Sequence, residues 1–190
     1  MSIFTCGTGC RAKTDAFVSQ YGTSIANAIA DTGLFFSAVV AQNIVESGYG
    51  ESELAAKYNN LGGVKALSGF PSVSLDTTEV VSGRTVAKKQ SFAVFPNADE
   101  YFKQYVKNLQ SPTLNYTSMG VFDASTPEEQ IQLMAQAGYT TKTPDDYLGS
   151  MDGILDYVRL KYGLGKIVTK QPEMTTPQLL NTLGYNPIQQ

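Results

Sequence analysis

An apolar segment at residues 34–45 constrains the fold more than any other part of the sequence. Its side chains are apolar almost all the way round a helix, and helices of that kind lie inside a protein rather than at its surface. Its longest run, residues 34–41, is broken by Ser37 and falls well short of the roughly 20 residues that span a bilayer. The segment is therefore predicted to be a central, buried helix, and no membrane span is expected.

The rest of the chain predicts helices on both sides of one β segment. Helical spacing covers residues 15–30, residues 73–95 alternate like strands with a hairpin turn at Ser82-Gly83, and helices follow with starts at Asn97, Thr126 and Thr143. Runs of one kind of element favour an α+β fold over alternating α/β. We expect a mainly helical lobe, a small β-hairpin lobe and a cleft between them.

The domain boundaries follow from composition. Residues 1–14 are rich in Gly and Cys and are predicted to be an N-terminal arm, residues 15–163 form the domain, and residues 164–190 form a tail with a short helix. Cys6 and Cys10 either form a small disulfide loop, if the protein works outside the cytoplasm, or are two free thiols. Two thiolates without His do not complete a structural zinc site.

The chain contains no histidine, which excludes several chemistries at once. Ser-His-Asp and Cys-His nucleophile systems and imidazole-dependent zinc sites are not available. The net charge is −3, and no cluster of Lys and Arg exceeds Lys88-Lys89, so nucleic acid is not an expected partner. Carboxylates remain the main acid and base candidates, and neither a metal nor a cofactor is expected.

Glu46 is the leading candidate for the chemistry. It ends the apolar helix, just before the turn at Gly48 and Gly50. The negative end of the helix dipole and the apolar surroundings both disfavour a carboxylate, so both raise its pKa. Holding a proton near neutral pH requires about two pKa units, or roughly 2.7 kcal/mol. A helix end supplies at most about 1 kcal/mol, so burial must supply most. The alternative is a solvated glutamate at a helix end.

The string around Glu46 resembles glycoside hydrolase family 73, the endo-β-N-acetylglucosaminidases of autolysins and flagellar-rod proteins. Residues 41–55 read Ala-Gln-Asn-Ile-Val-Glu-Ser-Gly-Tyr-Gly-Glu-Ser-Glu-Leu-Ala, and residues 59–65 read Asn-Asn-Leu-Gly-Gly-Val-Lys. Later matches, in the same order as in the family, are Thr78-Glu79, Phe92-Ala93-Val94-Phe95 and Ala137-Gly138-Tyr139-Thr140-Thr141. The resemblance covers about residues 15–160.

This resemblance implies a lysozyme-like fold that hydrolyses the β-1,4 bond after N-acetylglucosamine in peptidoglycan. Glu46 would be the general acid. Glu79 would be a base, a nucleophile or a stabiliser of charge, unless the acetamido group of the substrate is the nucleophile. Tyr139, lining the cleft, is the main substrate-binding candidate.

The resemblance adds three further substrate-binding candidates: Tyr49, Asn60 and Tyr147. Asn60 has the alternative role of pinning its loop through bonds to the backbone. Two positions depart from the family pattern, because Tyr49 replaces a Trp and Gly62 replaces a Phe. The chain has no Trp, so stacking on sugars falls to Tyr and Phe. Because Gly62 lacks the apolar side chain of the family Phe, the sequence does not predict the shape of this loop.

Several alternatives stay open. A muramidase or a lytic transglycosylase would use the same fold, and a non-catalytic wall-binding or virion module would keep the fold without activity. The substrate places the protein at the bacterial cell wall or in the periplasm, yet no secretory leader is visible. A phage-encoded enzyme, delivery by another route, or a leader absent from this chain would explain that. The oligomeric state is left open.

Overall fold

The computed structural model describes residues 6–81, 84–163 and 165–168, with only the backbone for residues 78–81 and 84–87. The described elements follow in this order: α1 (Thr8–Ile29), α2 (Phe36–Ser47), α3 (Glu53–Tyr58), β1 (Ser72–Val81), β2 (Arg84–Ala93), α4 (Ala98–Leu109), α5 (Pro127–Gln136), α6 (Pro144–Gly149) and α7 (Asp152–Tyr162).

Helix α2 lies at the centre of the helical lobe, as its sequence predicts. It packs against α1, α5 and α7, and its apolar residues from Phe36 to Ile44 are buried. The helix ends at Ser47 because Gly48 takes a left-handed conformation, with φ of 58°, and its N–H bonds back to the carbonyl of Ile44. Glycine adopts this conformation without a steric penalty. Glu46 therefore stands in the last turn of the most buried helix.

Helix α1 begins at Thr8, so the N-terminal arm predicted for residues 1–14 is wrong for residues 8–14. Thr14 is the first buried residue of the helix, and the turns before it are largely exposed. They therefore carry no apolar periodicity that a sequence reading detects. Cys6 and Cys10 form a disulfide at this end, and the Arg11 side chain donates to the carbonyl of Cys6. These contacts hold the first turn in place.

The hairpin lobe is a two-stranded antiparallel sheet. Strands β1 and β2 pair from Ser72 opposite Ala93 to Val81 opposite Arg84. The turn predicted at Ser82-Gly83 lies outside the described residues. Backbone hydrogen bonds join the base of the hairpin to the loop before β1, from Ala66 to Ser91 and from Ala93 to Val64, each 3.0 Å long. The predicted α+β architecture is confirmed.

The starts predicted for the later helices are also confirmed. The side chains of Asn97, Thr126 and Thr143 each accept a hydrogen bond from the backbone N–H three residues on. These bonds satisfy donors that a helix start leaves open. Within the described residues, no helix combines the length and apolar character required to cross a membrane.

The helix predicted to open at Thr143 is two helices rather than one. Helix α6 ends at Gly149, and α7 starts at Asp152. The Ser150 hydroxyl donates to the carbonyl of Tyr147 at 2.6 Å, which satisfies a backbone group at the end of α6. The inward-facing residues keep helical spacing across the break. The sequence pattern therefore gives no sign that the helix is interrupted. The short helix predicted in the tail lies outside the described residues.

Candidate active site

An open groove of about 360 Å³ runs beside the end of α2, where the sequence predicts a cleft. One side is the loop that leads towards the hairpin, and the other is formed by α4 and the loops after α4 and α5. Its lining consists of Glu46, Gly62, Gly63, Val64, Lys65, Tyr101, Tyr105, Asn108, Leu109, Leu114, Tyr116 and Tyr139.

Glu46 lines this groove at the end of α2. Its side chain is exposed towards the groove, while Tyr147 closes the opposite side by donating a hydrogen bond of 3.2 Å to Oε1. Burial raises the pKa of Glu46, and the Tyr147 hydrogen bond and the positive charge of Lys142 partly counteract it. Desolvation is thus the main cause, as the position at the end of an apolar helix predicts.

Tyr139 lies on the groove between two other tyrosines. Its ring centroid is 6.2 Å from that of Tyr116 and 6.1 Å from that of Tyr147. Burial, followed by the negative charge of Glu46, raises the pKa of Tyr139 far above its usual value. The hydroxyl therefore stays protonated at every working pH and remains available to donate a hydrogen bond beside the acid.

Tyr147 lies behind Glu46 rather than on the open groove. It is only 2% exposed, so it offers a substrate almost no surface. Its hydroxyl accepts a hydrogen bond of 3.0 Å from Nε2 of Gln42 and donates to Glu46. Burial is the main cause that raises the pKa of Tyr147. Tyr147 therefore contacts Glu46 from the protein interior and links it to Gln42.

Asn60 is fully buried and holds the loop that follows α3. Its Nδ2 donates to the carbonyls of Val64 and Ala93 at 2.8 and 2.9 Å, and its Oδ1 accepts from the N–H of Val64 at 2.8 Å. The two bonds with Val64 close the loop on itself, and the bond to Ala93 joins the loop to the base of the hairpin. They match the loop-pinning alternative, and they fix the wall of the groove opposite Tyr139.

Tyr49 and Gly62, the two departures from the family pattern, have different surroundings. Tyr49 is half-buried, with a φ of 64°, and the Nζ of Lys13 lies 5.6 Å from its ring centroid. It is not among the described residues that line the groove. Gly62 does line it. A Cβ at this position would stand 2.7 Å from the hydroxyl oxygen of Tyr101, so the space above Tyr101 has no room for a side chain.

Glu79 lies on β1, opposite Val86. Its side chain is outside the part of the chain that the structure describes. Phe92, which pairs with Lys65 of the groove wall, is opposite Val73. Glu79 follows Val73 by six residue steps of extended strand, which corresponds to about 20 Å along the hairpin. The loop that pairs with the base of the hairpin lines the groove at Lys65.

Sequence reasoning missed three residues around the acid. Gln42 and Tyr105 are buried and connect to Glu46 through Tyr147, and Tyr116 lines the groove from the loop after α4. Gln42 had a detectable signal, because a polar residue four positions before Glu46 shares its face of the helix. Tyr116 follows no periodic pattern. Among the described residues, no group of three or more Cys, Asp or Glu side chains is placed to hold a metal ion.

Comparison with known proteins identifies the family. The profile described as mannosyl-glycoprotein endo-beta-N-acetylglucosaminidase, named Glucosaminidase, matches residues 22–160. Among curated relatives, the exo-glucosaminidase LytG of Bacillus subtilis (strain 168) is 28% identical over 157 residues, which is 80% of this chain and 53% of LytG. The peptidoglycan hydrolase FlgJ of Escherichia coli (strain K12) is 30% identical over 132 residues, covering 66% of this chain and 41% of FlgJ.

A third relative, a probable N-acetylmuramidase of Lactococcus lactis subsp. lactis (strain IL1403), is 37% identical over 93 residues, covering 48% of this chain and 21% of the relative. The chain thus spans about half or less of these relatives' lengths.

Solved structures agree on the fold. The catalytic domain of the autolysin Auto from Listeria monocytogenes superposes with a TM-score of 0.66 at 23% identity, covering 76% of this chain and 83% of that one. The truncated glycoside hydrolase domain of FlgJ from Salmonella typhimurium gives 0.61 at 24% identity, covering 77% and 98%. The chain therefore belongs to the glucosaminidase family, glycoside hydrolase family 73, and has its lysozyme-like fold.

Proposed function

We propose that this protein hydrolyses the β-1,4 glycosidic bond after N-acetylglucosamine in bacterial peptidoglycan, with Glu46 as the general acid. The observation that carries the proposal is the position of Glu46, which faces an open groove with a pKa raised by burial. Proton donation to the departing glycosidic oxygen requires a carboxylic acid beside the bound sugar, and a raised pKa favours that protonated form. Relatives named glucosaminidase, autolysin and peptidoglycan hydrolase support this substrate class.

In this reaction Glu46 transfers its proton to the oxygen that links the two sugars as the bond from that oxygen to C1 breaks. Water then delivers a hydroxyl to C1, and its remaining proton restores Glu46, so one water is consumed per bond. Tyr139, whose hydroxyl stays protonated, is proposed to donate a hydrogen bond to the sugar beside the acid. The half-buried ring of Tyr139 offers an apolar face for stacking.

The group that assists at C1 has two candidates. Glu79 is the first, as the second carboxylate of the pair. The acetamido group of the substrate is the second. Glu79→Gln distinguishes them. A loss of rate as large as that of a Glu46 variant assigns the role to Glu79, and a loss below about tenfold assigns it to the substrate.

Product analysis tests the bond that is cut. Purified peptidoglycan is digested, the products are reduced with borohydride, and the reduced end is identified by mass spectrometry. Reduced N-acetylglucosamine is the expected result. Reduced muramic acid would mean a muramidase, anhydro ends would mean a lytic transglycosylase, and no release would favour a wall-binding or virion module. Long products would indicate endo cleavage, and single sugars or disaccharides would indicate exo cleavage.

Substitution of the acid tests the mechanism. Glu46→Gln keeps the size of the side chain and its acceptor for Tyr147 but has no proton to transfer, so the rate should fall at least about a hundredfold. Glu53→Gln is the matched control, because Glu53 is an exposed glutamate of α3, paired with Lys57 away from the groove. Normal activity of Glu46→Gln would refute the assignment.

We also propose that the protein acts at the cell wall or in the periplasm. The disulfide between Cys6 and Cys10 supports this location, because disulfides persist in oxidising compartments and are rare in the cytosol. Trapping free thiols in protein taken directly from its source, followed by mass spectrometry of the N-terminal peptide, tests it. Two alkylated thiols would contradict an oxidising site of action.

A further inference from the structure

A chain of hydrogen bonds runs from α4 through α2 to the acid. The Tyr105 hydroxyl donates to Oε1 of Gln42, Nε2 of Gln42 donates to the Tyr147 hydroxyl at 3.0 Å, and that hydroxyl donates to Oε1 of Glu46 at 3.2 Å. Gln42 is 1%, Tyr105 5% and Tyr147 2% exposed. Water therefore has little access to the chain, and each group depends on its protein partners.

The chain has a direction, and Gln42 sets it. An amide has a donor end and an acceptor end, and here the donor end fills a lone pair of the Tyr147 oxygen. The single hydrogen of that hydroxyl is then directed to Glu46. If the amide were reversed, Tyr147 would donate to Gln42 instead. A protonated Glu46 would then turn its own hydrogen onto the Tyr147 oxygen, away from the groove.

Tyr105 holds the amide in the productive direction. Its hydroxyl donates to Gln42, so the acceptor end of the amide must face α4 and the donor end must face Tyr147. We propose that Tyr105 and Gln42 are positioning residues that act through Tyr147 to reserve Oε1 of Glu46 as an acceptor, so that the transferable proton is carried by Oε2. This inference rests on the proposed role of Glu46 as general acid.

Other groups around Glu46 do not set this direction. Lys142, from the loop before α6, lowers the pKa of Glu46 through its charge alone. Tyr101 from α4 and Tyr139 from the loop after α5 both have pKa values raised by burial first and by Glu46 among other charges, so both stay neutral. Tyr147 is the described side chain that hydrogen-bonds to the Glu46 carboxyl.

Tyr105→Phe tests the inference, with Tyr101→Phe as its matched control. Both residues lie on α4, both are buried, and both hydroxyls donate to a side chain of α2, but Tyr101 donates to Asn43 rather than to Gln42. The two variants lose comparable hydrogen bonds, so their effects on stability should be similar. Only Tyr105→Phe removes the hydrogen bond that fixes the orientation of the Gln42 amide.

The expected signature of Tyr105→Phe is kinetic. The value of kcat should fall about three- to tenfold, the size of one hydrogen bond, with KM within about twofold of the wild type. The basic limb of the pH profile should move to higher pH, because ionised Glu46 loses part of the hydrogen bond from Tyr147 that lowers its pKa. Tyr101→Phe should keep the wild-type pH profile.

A double mutant shows whether Tyr105 acts through Tyr147. Tyr147→Phe should move the basic limb in the same direction, and adding Tyr105→Phe to it should produce no further shift. If Tyr105→Phe fails to fold, Gln42→Met, which keeps the side-chain volume but removes both bonds, should reduce kcat by a similar factor.

The inference would be overturned if the pH shifts of Tyr105→Phe and Tyr147→Phe were additive, or if Tyr105→Phe had the same pH profile as Tyr101→Phe. A wild-type kcat in Gln42→Met would also overturn it. An active Glu46→Gln would instead overturn the proposed function itself.

Discussion

Gly62→Ala is expected to destabilise the protein through a single contact. The backbone of Gly62 does not have a positive φ, so an alanine is not strained there by conformation. The obstacle is the Tyr101 hydroxyl oxygen, which would stand 2.7 Å from the new Cβ, against at least about 3.4 Å for an ordinary contact. Tyr101 is fully buried between Phe95 and Phe102, and its hydroxyl donates to Asn43 at 2.8 Å.

The magnitude follows from what Tyr101 must give up. Moving the hydroxyl away weakens its bond to Asn43, whose acceptor is also buried, and together with the crowding this costs about 1–3 kcal/mol. Replacing glycine by alanine lowers the entropy of the unfolded chain and offsets about 0.4–1 kcal/mol. The free energy of unfolding should therefore fall by about 1–2 kcal/mol. In a domain of this size that corresponds to a Tm lower by about 2–8 °C.

Urea unfolding in two backgrounds is the assay. In Tyr101→Phe the hydroxyl is gone, and the next atoms, Cζ of residue 101 and the hydroxyl oxygen of Tyr139, are at 3.8 and 3.9 Å, so Gly62→Ala should cost nothing there. Gly149→Ala is the control for the entropy effect, because no heavy atom lies within 4 Å of its new Cβ. An equal loss of stability in both Tyr101 backgrounds would refute the reasoning.

Two further predictions concern the acid and the disulfide. Because burial raises the pKa of Glu46, its contribution to stability is complete below the unfolded-state pKa near 4.5 and is lost as the pH rises through the folded-state pKa. Glu46→Gln should therefore match the wild type in acid and be more stable at neutral pH, and a pH-independent difference in urea midpoints would contradict this. Removing the disulfide with Cys6→Ser should cost about 2 kcal/mol or less and speed amide exchange in residues 8–13, since it closes a short loop. Faster exchange across α2 instead would contradict a local role.

Much of the fold was accessible from sequence because its signals are local. The apolar segment that became α2 identified the centre of the core, and the side chains of Asn97, Thr126 and Thr143 marked helix starts. The first turns of α1 were missed because they are exposed and held by the disulfide, so apolar spacing does not reveal them. The break at Ser150 was missed because it preserves the inward spacing of the residues on either side.

Sequence predicted the site only at the residue whose surroundings are set by its immediate neighbours in the chain. Glu46 stands next to a glycine turn at the end of an apolar helix, so its desolvation follows from local sequence. Tyr105 contributes through a hydrogen bond across 63 positions of sequence, and Tyr116 through a loop without periodicity. Such partners are brought together only by packing. Likewise, the buried bonds of Asn60 depend on where the base of the hairpin lies.

The location of Glu46 on the most buried helix limits how this protein can be redesigned. A substitution that shifts the backbone of α2 by a fraction of an ångström would also displace the acid and Gln42, since close-packed interiors transmit strain. Attempts to raise thermal tolerance should therefore leave the packing of α2 unaltered. The exposed early turns of α1, remote from the groove in sequence and anchored at Cys10, offer a safer place for added stability.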